Sequence, residues 1–208
     1  MKRSKTSGAW MREHVKDLYV KRAKQEGFRS RAAFKLLELD ARDKLLSPGL
    51  TVVELGAAPG GWTQVVADKV GPRGRVIALD VLEIRPVGAV DIIQGDFRDE
   101  AVLQELRRRL QGRTVDLVIS DMAPNISGVA SRDQARMMEL ASQALEFAQS
   151  VLQPKGKLLV KLFQGEGFEP FTSAMRRCFK EVVSRKPKAS RGRSSEIYLL
   201  GRNLRPKD

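Results

Sequence analysis

Glu54-Leu55-Gly56-Ala57-Ala58-Pro59-Gly60-Gly61-Trp62 follows a short apolar run, Thr51-Val52-Val53, and leads into a helix-like run from Thr63 to Val70. A strand that ends in an acid, turns on glycines and feeds a helix is the pattern of a nucleoside-cofactor site. Glycine lets the backbone approach a ligand with no Cβ in the way, and Pro59 suits the entry to the helix. The spacing is G-x-x-x-G-G, not the G-x-G-x-x-G that cradles a dinucleotide pyrophosphate. S-adenosylmethionine has no phosphate and needs room for its amino-acid tail, so the spacing points towards that cofactor.

Outward from this turn the chain alternates between strand and helix patterns. The spacing predicts strands at Thr51–Leu55, Arg75–Asp80, Asp91–Gln94, Val115–Asp121, Leu158–Phe163, Glu181–Arg185 and Glu196–Leu200. Helices are expected between them at Thr63–Val70, Glu100–Leu110, Ser131–Leu152 and Phe168–Cys178. Continuous apolar runs such as Val76-Ile77-Ala78-Leu79 suit a parallel sheet covered on both faces. The last two strands are separated only by a Ser/Arg/Gly-rich loop, too short for a crossover helix, and should pair antiparallel. The expected fold is therefore α/β and Rossmann-like: a doubly wound, seven-stranded, mostly parallel sheet with an antiparallel C-terminal hairpin, the architecture of class I methyltransferases. Upstream, Trp10 to Gln25 reads as a helix stopped by Gly27. Ser30 is expected to cap a second helix to about Leu46, with Ala33, Leu36, Leu37 and Leu45 facing a core. Ser47-Pro48-Gly49 marks a break. Residues 1–28 are assigned to a basic, RNA-binding N-terminal extension and 29–208 to the catalytic domain.

The net charge of +13 is unevenly placed. Residues 1–35 carry a net +8, and residues 185–193 add five cations with no acid. The remaining 164 residues are neutral, with 22 bases and 22 acids. Two basic segments beside a neutral body favour a polyanionic partner. Neither segment has a clear apolar face for a membrane, and no apolar stretch reaches about 18 residues. No signal-peptide pattern follows the basic N-terminus. The single Cys178 reads as a packed helix residue, and no Cys/His cluster suggests a metal. His14 is the only histidine, so a general base is expected to be some other residue. A cytoplasmic location follows.

Three acids fall at successive strand ends. Asp80, 26 positions after Glu54, can accept from both hydroxyls of a ribose. Asp96 can accept from an adenine amino group, with the Phe97 backbone or ring against the base. Asp121 closes the fourth strand near the expected methionine end, within Asp121-Met122-Ala123-Pro124-Asn125. That segment lacks the Asn/Asp-Pro-Pro-aromatic motif that clamps a base for N-methylation. Lys161 interrupts the apolar run Leu158-Leu159-Val160-Lys161-Leu162-Phe163. A lysine there is costly to bury unless paired, and Asp121 is the expected partner. Such a group suits O-methylation, because a ribose 2′-hydroxyl must lose its proton as it attacks an electrophilic methyl.

Taken together, Arg29-Ser30-Arg31-Ala32-Ala33-Phe34-Lys35-Leu36, the Glu54–Trp62 turn, Asp121–Asn125, Val160-Lys161 and Ser194-Ser195-Glu196 resemble the FtsJ-type ribosomal RNA ribose 2′-O-methyltransferases. The resemblance spans about Trp10 to Gly201. It implies a catalytic tetrad of Lys35, Asp121, Lys161 and Glu196, with Lys161 as proton acceptor and Asp121 positioning it. It also implies S-adenosylmethionine contacts at Gly60, Trp62, Asp80, Asp96 and Asp121, and no metal. The substrate it implies is a uridine ribose of large-subunit (23S) ribosomal RNA in the assembled particle; the protein is expected to be a monomer. A small-molecule O-methyltransferase would leave the basic segments unexplained. A non-catalytic RNA-binding assembly factor would leave the tetrad unexplained.

Overall fold

The computed structural model describes residues 17–190 and 194–206. Seven strands form one sheet: β1 (Thr51–Leu55), β2 (Arg75–Asp80), β3 (Asp91–Gln94), β4 (Val115–Ser120), β5 (Leu152–Phe163), β6 (Phe179–Arg185) and β7 (Glu196–Leu204). Their order across the sheet is β3-β2-β1-β4-β5-β7-β6. The pairs from β3 to β5 are parallel, while β7 runs antiparallel to both β5 and β6. The expected doubly wound sheet with an antiparallel C-terminal pair is thus present.

Successive residues of a strand point to opposite faces, so a strand covered on both sides reads as continuously apolar. Val53 and Leu55 of β1 face one layer, with Val118, Leu158 and Val160 of the neighbouring strands. Helices α4 (Glu100–Leu110), α5 (Ala130–Val151) and α6 (Phe168–Cys178) close that face through Leu106, Ala144 and Met175. Val52, Leu117, Ile119, Leu159 and Tyr198 face the other layer. There α2 (Ala32–Asp43) and α3 (Gly61–Val70) contribute Leu36, Leu39, Trp62 and Val66. Helix α1 (Leu18–Gln25) joins through Ala23, which packs with Phe34 of α2 and Ala189. Asp17 caps α1 by accepting the Tyr19 amide at 3.0 Å.

Several local expectations need correction. Ser30 does not cap α2: the cap residue is Arg31, with no side-chain cap bond, and the buried Ser30 hydroxyl has no partner. It packs instead where α2 crosses α3, and a Cβ on Gly61 would lie 2.2 Å from its oxygen. Helix α2 ends at Asp43, not near Leu46, because Lys44 turns left-handed at φ 50°. Leu45 is still buried, beyond the helix, whereas Leu37 is only partly covered. Pro59 precedes the Gly60 cap of α3 instead of opening the helix. Strand β5 starts at Leu152, six residues early, across an irregularity opposite Val115 and Leu117. The part of the first expected helix before Leu18 lies outside the described residues, as does His14.

Gly201 marks the tightest approach between sheet and helix. A Cβ there would sit 2.6 Å from the Phe179 ring and 2.9 Å from the Met175 methyl. Gly201→Ala should therefore overpack this layer and cost about 1–3 kcal/mol. A parental urea midpoint for this variant would show that the layer yields freely.

Candidate active site

The sheet reverses its strand order between β1 and β4, and ligands of open α/β sheets bind beyond the carboxyl ends at such a point. A cavity of about 600 Å³ lies there, within the range of small-molecule sites. It is lined by Gly56 and Ala58 after β1, Asp80 to Leu82 after β2, Gly95 to Arg98 after β3, and Asp121 to Asn125 after β4. Gly56 has φ 76°, and a Cβ on it would stand 2.7 Å from the Met122 nitrogen, so this turn must be glycine.

The acids of the cavity are held in different ways. Asp80 accepts the amides of Ala58 and Leu82, each at 2.8 Å and each on a separate oxygen. Its carboxylate is thereby fixed while lone pairs remain for a ligand. Asp96 is bound by its neighbour Arg98, whose guanidinium donates to Oδ2 at 2.6 Å and holds the carboxyl below its ordinary range. The Phe97 ring is buried edge-on against Phe147 at 5.6 Å, so only its backbone is left to meet a base. Gly60 and Trp62 do not line the cavity. The Trp62 indole donates to the Ala32 carbonyl at 2.7 Å and packs on Tyr198, 5.7 Å between ring centroids. Gly60 touches Arg29, which clamps the carbonyls of Arg85 and Pro86 at 2.6 and 2.7 Å.

Asp121 links the cavity to a line of polar side chains on the α2/α3 face. Its Oδ1 lies 3.0 Å from the Lys161 ammonium, which also donates to the Asp121 carbonyl. Tyr198 donates to the same Oδ1 at 2.8 Å. Lys35 reaches Glu196 at 2.7 and 2.8 Å on its two oxygens and lies 3.5 Å from the Tyr198 hydroxyl. Ser190 completes the line by donating to Glu196 at 2.8 Å. The four tetrad residues expected from the sequence are therefore brought together, with Tyr198 as the bridge between their two ion pairs. Sequence reasoning missed Tyr198, because a tyrosine in an apolar strand reads as core. Its only signal is register: Tyr198 stands directly opposite Lys161 on the paired strands. Burial and the nearby Asp121 and Glu196 carboxylates raise its pKa well above the ordinary value, so it stays a hydroxyl.

A family model described as FtsJ-like methyltransferase matches residues 28–204. The chain belongs to this FtsJ-like methyltransferase family. It is 60% identical over 205 residues to the ribosomal RNA large subunit methyltransferase E of Azoarcus sp. strain BH72, covering 99% of this chain and 100% of that protein. The protein of the same name from Nitrosospira multiformis is also 60% identical, over 97% of this chain and 98% of its own. A crystal structure of a Plasmodium falciparum ribosomal RNA methyltransferase superposes with a TM-score of 0.76 at 28% identity, over 85% of this chain and 98% of that one. The Methanococcus jannaschii fibrillarin pre-rRNA processing protein shares the fold, with a TM-score of 0.55 at 16% identity over 75% of this chain and 67% of that one.

The cavity of this FtsJ-like methyltransferase suits S-adenosylmethionine. Its Asp80, Asp96, Asp121 and Glu139 supply acceptors for hydroxyls, an amine and a cation, and Gly56 leaves the backbone bare. Among the described residues no group of His, Cys, Asp or Glu could hold a metal ion, and no helix is long and apolar enough to cross a membrane. Of the basic segment at 185–193, Arg185 is committed to the buried Asp43 at 2.7 Å, and residues 191–193 lie outside the described ones. Cys178 is a half-buried free thiol ending α6.

Glu54, the acid that opens the glycine turn, is buried beneath α3 with Oε2 unpartnered. Burial, then the Asp121 and Asp80 carboxylates, push its pKa from 4.5 to about 8, against an opposing contribution from Thr63. The folded chain thus binds a proton that the unfolded chain releases above pH 4.5. Stability should fall as pH rises from about 4.5 to about 8, by up to about 1.4 kcal/mol per pH unit from this group. Glu54→Gln should remove that component and gain on the parent at pH 8. Urea unfolding of both proteins across the range checks this, and parallel pH profiles would refute it.

Proposed function

We propose that this chain transfers a methyl group from S-adenosylmethionine to the ribose 2′-hydroxyl of a uridine in large-subunit (23S) ribosomal RNA, within the assembled particle and in the cytoplasm. The observation that carries the reading is the buried Lys161–Asp121 pair at the edge of the cavity, extended through Tyr198 to Lys35 and Glu196. The name of the bacterial relatives, ribosomal RNA large subunit methyltransferase E, supports the methyl transfer and the large-subunit ribosomal RNA of this reading.

S-adenosylmethionine, when bound, supplies an electrophilic methyl on positive sulfur. Asp80 would hold its ribose hydroxyls, Asp96 its adenine amine and Asp121 its methionine end. Gly60 and Trp62, which lie outside the cavity wall, would act by shaping the turn: the Gly60 amide and carbonyl are taken by Ala57 and Gln64, and the Trp62 indole is committed to α2. Lys161, once its ammonium has given up a proton, accepts the proton of the 2′-hydroxyl, and Asp121 orients its amine and stabilises the ammonium that forms again. Tyr198 fixes the Asp121 carboxylate, and the Lys35–Glu196 pair holds Tyr198 from the far side. Lys35 also places a cation where negative charge develops on the ribose oxygen. Residues 1–28 act as an RNA-binding extension of a catalytic domain at 29–208, and the protein works as a monomer without a metal.

The reading is tested by methyl transfer from labelled cofactor to undermethylated large ribosomal subunits and to free RNA, with the modified nucleotide mapped. Label on protein or on small molecules alone, or on a base, would sink it. Asp80→Ala should weaken cofactor binding by roughly 1.5–3 kcal/mol in calorimetry; parental affinity would remove Asp80 from the site. Lys161→Ala should bind cofactor and subunits nearly as the parent does, yet lose about 10²–10⁴-fold in single-turnover rate. Lys161→Arg should not rescue, because a guanidinium does not give up its proton near neutral pH. A parental rate for Lys161→Arg would reduce Lys161 to an electrostatic anchor.

A further inference from the structure

Among the described residues, large apolar side chains stand exposed at Leu18, Val81, Leu82, Ile126 and Val129. Val81 and Leu82 line the cofactor cavity, where a ligand would cover them. Leu18 adjoins residues outside the description. Ile126 and Val129 remain, 65% and 51% exposed, and neither lines the cavity.

Both lie on the segment that runs from Asp121 at the end of β4 to the start of α5. This segment is buttressed, not slack. The buried Asp133 carboxylate accepts the Ser127 amide at 2.8 Å, the Ser127 hydroxyl at 2.7 Å and the Gly128 amide at 3.1 Å. The Ser127 hydroxyl oxygen in turn accepts the Val129 amide at 3.2 Å. These donors keep the Asp133 carboxyl below its ordinary range, so the clamp persists across neutral pH. The clamp fixes the backbone from Ser127 to Val129 and so presents two solvent-facing aliphatic side chains, Ile126 and Val129, from a held turn.

We infer that Ile126 and Val129 form an apolar platform for a nucleobase of the RNA substrate, beside the ribose that is methylated. The inference rests on the function proposed above. The far end of the same segment is Asp121, which holds Lys161. A nucleotide whose ribose meets Lys161 carries its base, or that of its neighbour, within the roughly 18 Å that the stretch to Ile126 can span. Exposed Arg132, on the first turn of α5 and three residues after Val129, suits a phosphate beside that base, whereas Arg136, one turn on, lines the cofactor cavity. Single-stranded RNA is commonly read through unstacked bases laid against side chains, most often aromatic rings or guanidinium planes; on this loop the exposed covering groups are aliphatic. Aliphatic side chains cover the face of a base without reading its edges. The platform therefore selects for a splayed-out nucleotide and leaves identity to the surrounding particle.

The test uses the full chain and undermethylated large ribosomal subunits. In Ile126→Ala/Val129→Ala the half-saturating subunit concentration should rise roughly tenfold, towards the lower end of the loss seen for aromatic stacking platforms. The slope of log K against log salt should stay parental, because no phosphate contact is lost. Cofactor affinity and melting temperature should also be unchanged. Asp133→Ala keeps both aliphatics but frees the loop, and should reproduce the loss. A photoreactive group attached at Ile126→Cys, in a Cys178→Ser background, should cross-link to RNA. This last measurement leaves the loop clamp intact, and so decides the matter even where Asp133→Ala melts early. A parental half-saturation in the double variant would overturn the platform. A cross-link to a ribosomal protein would overturn the choice of RNA as its occupant. Failure of the parent to methylate ribosomal RNA would instead defeat the proposed function, and shows before any variant is made.

Discussion

Lys161 sits in the middle of the sheet with its neighbours on the strand, Val160 and Leu162, fully buried, and its own side chain almost so. An ammonium there is tolerable only with a close carboxylate, since removing the partner of a buried charge costs several kcal/mol. Asp121 meets that need from just beyond the end of the adjacent strand β4, and nearly everything else in the site follows from holding it. Tyr198 donates to the same carboxylate oxygen, which requires β7 to lie against β5 in the register that puts Tyr198 opposite Lys161. A slip of one residue would turn Tyr198 to the α5 face and leave the pair half-supported. The same register carries Glu196, opposite Phe163, to the carboxyl end of the parallel strands, where α2 presents Lys35. The reversed direction of β7 is therefore a requirement of the site as well as a feature of the fold.

How much of this could be read from the sequence depended on whether a residue's role was local. Strands β1, β2 and β3 fall where the apolar runs lie, because a strand buried on both faces leaves an unbroken run between turn residues. The start of β5 was not legible. Gln153, Pro154 and Lys155 interrupt the apolar pattern, and their strand conformation depends on pairing with β4 across an irregularity. Ser30 had the composition of a cap but packs at a helix crossing that no local pattern reveals. Lys161 was visible because a charge in an apolar run violates the pattern. Tyr198 was hidden because it obeys it. Glu54 lay within the most informative motif, but the sequence does not tell whether it faces ligand or core.

The basic segments are a more demanding case. The sequence shows charge concentrated in two places, which argues for a polyanion. The fold shows that several of these cations hold the protein together. Arg29 clamps two carbonyls after β2, Arg31 bonds Asp17 and the Ala189 carbonyl, and Arg185 is tied to Asp43. Counting charges therefore overstates what remains for phosphates. Lys21, Lys24 and Lys188 are exposed, and better placed to meet them.

Those structural contacts have a consequence that the charge count alone lacks. Glu38 of α2 accepts the backbone amides of Lys188 and Ala189 at 2.6 and 3.1 Å, while Arg31 reaches the Ala189 carbonyl. The two basic segments, remote in sequence, are thereby fastened to each other. They meet beside Ser190, whose hydroxyl binds Glu196 of the tetrad. Long-range attraction by the exposed lysines would thus deliver a polyanion to the end of the sheet where Lys35 and Glu196 stand. Short-range contacts would then have to choose among its nucleotides, because charge attracts every phosphate alike. On the function proposed above the division of labour would be physical: exposed surface cations would set the rate of encounter, and the buried Asp121–Lys161–Tyr198 line would set which oxygen can lose its proton.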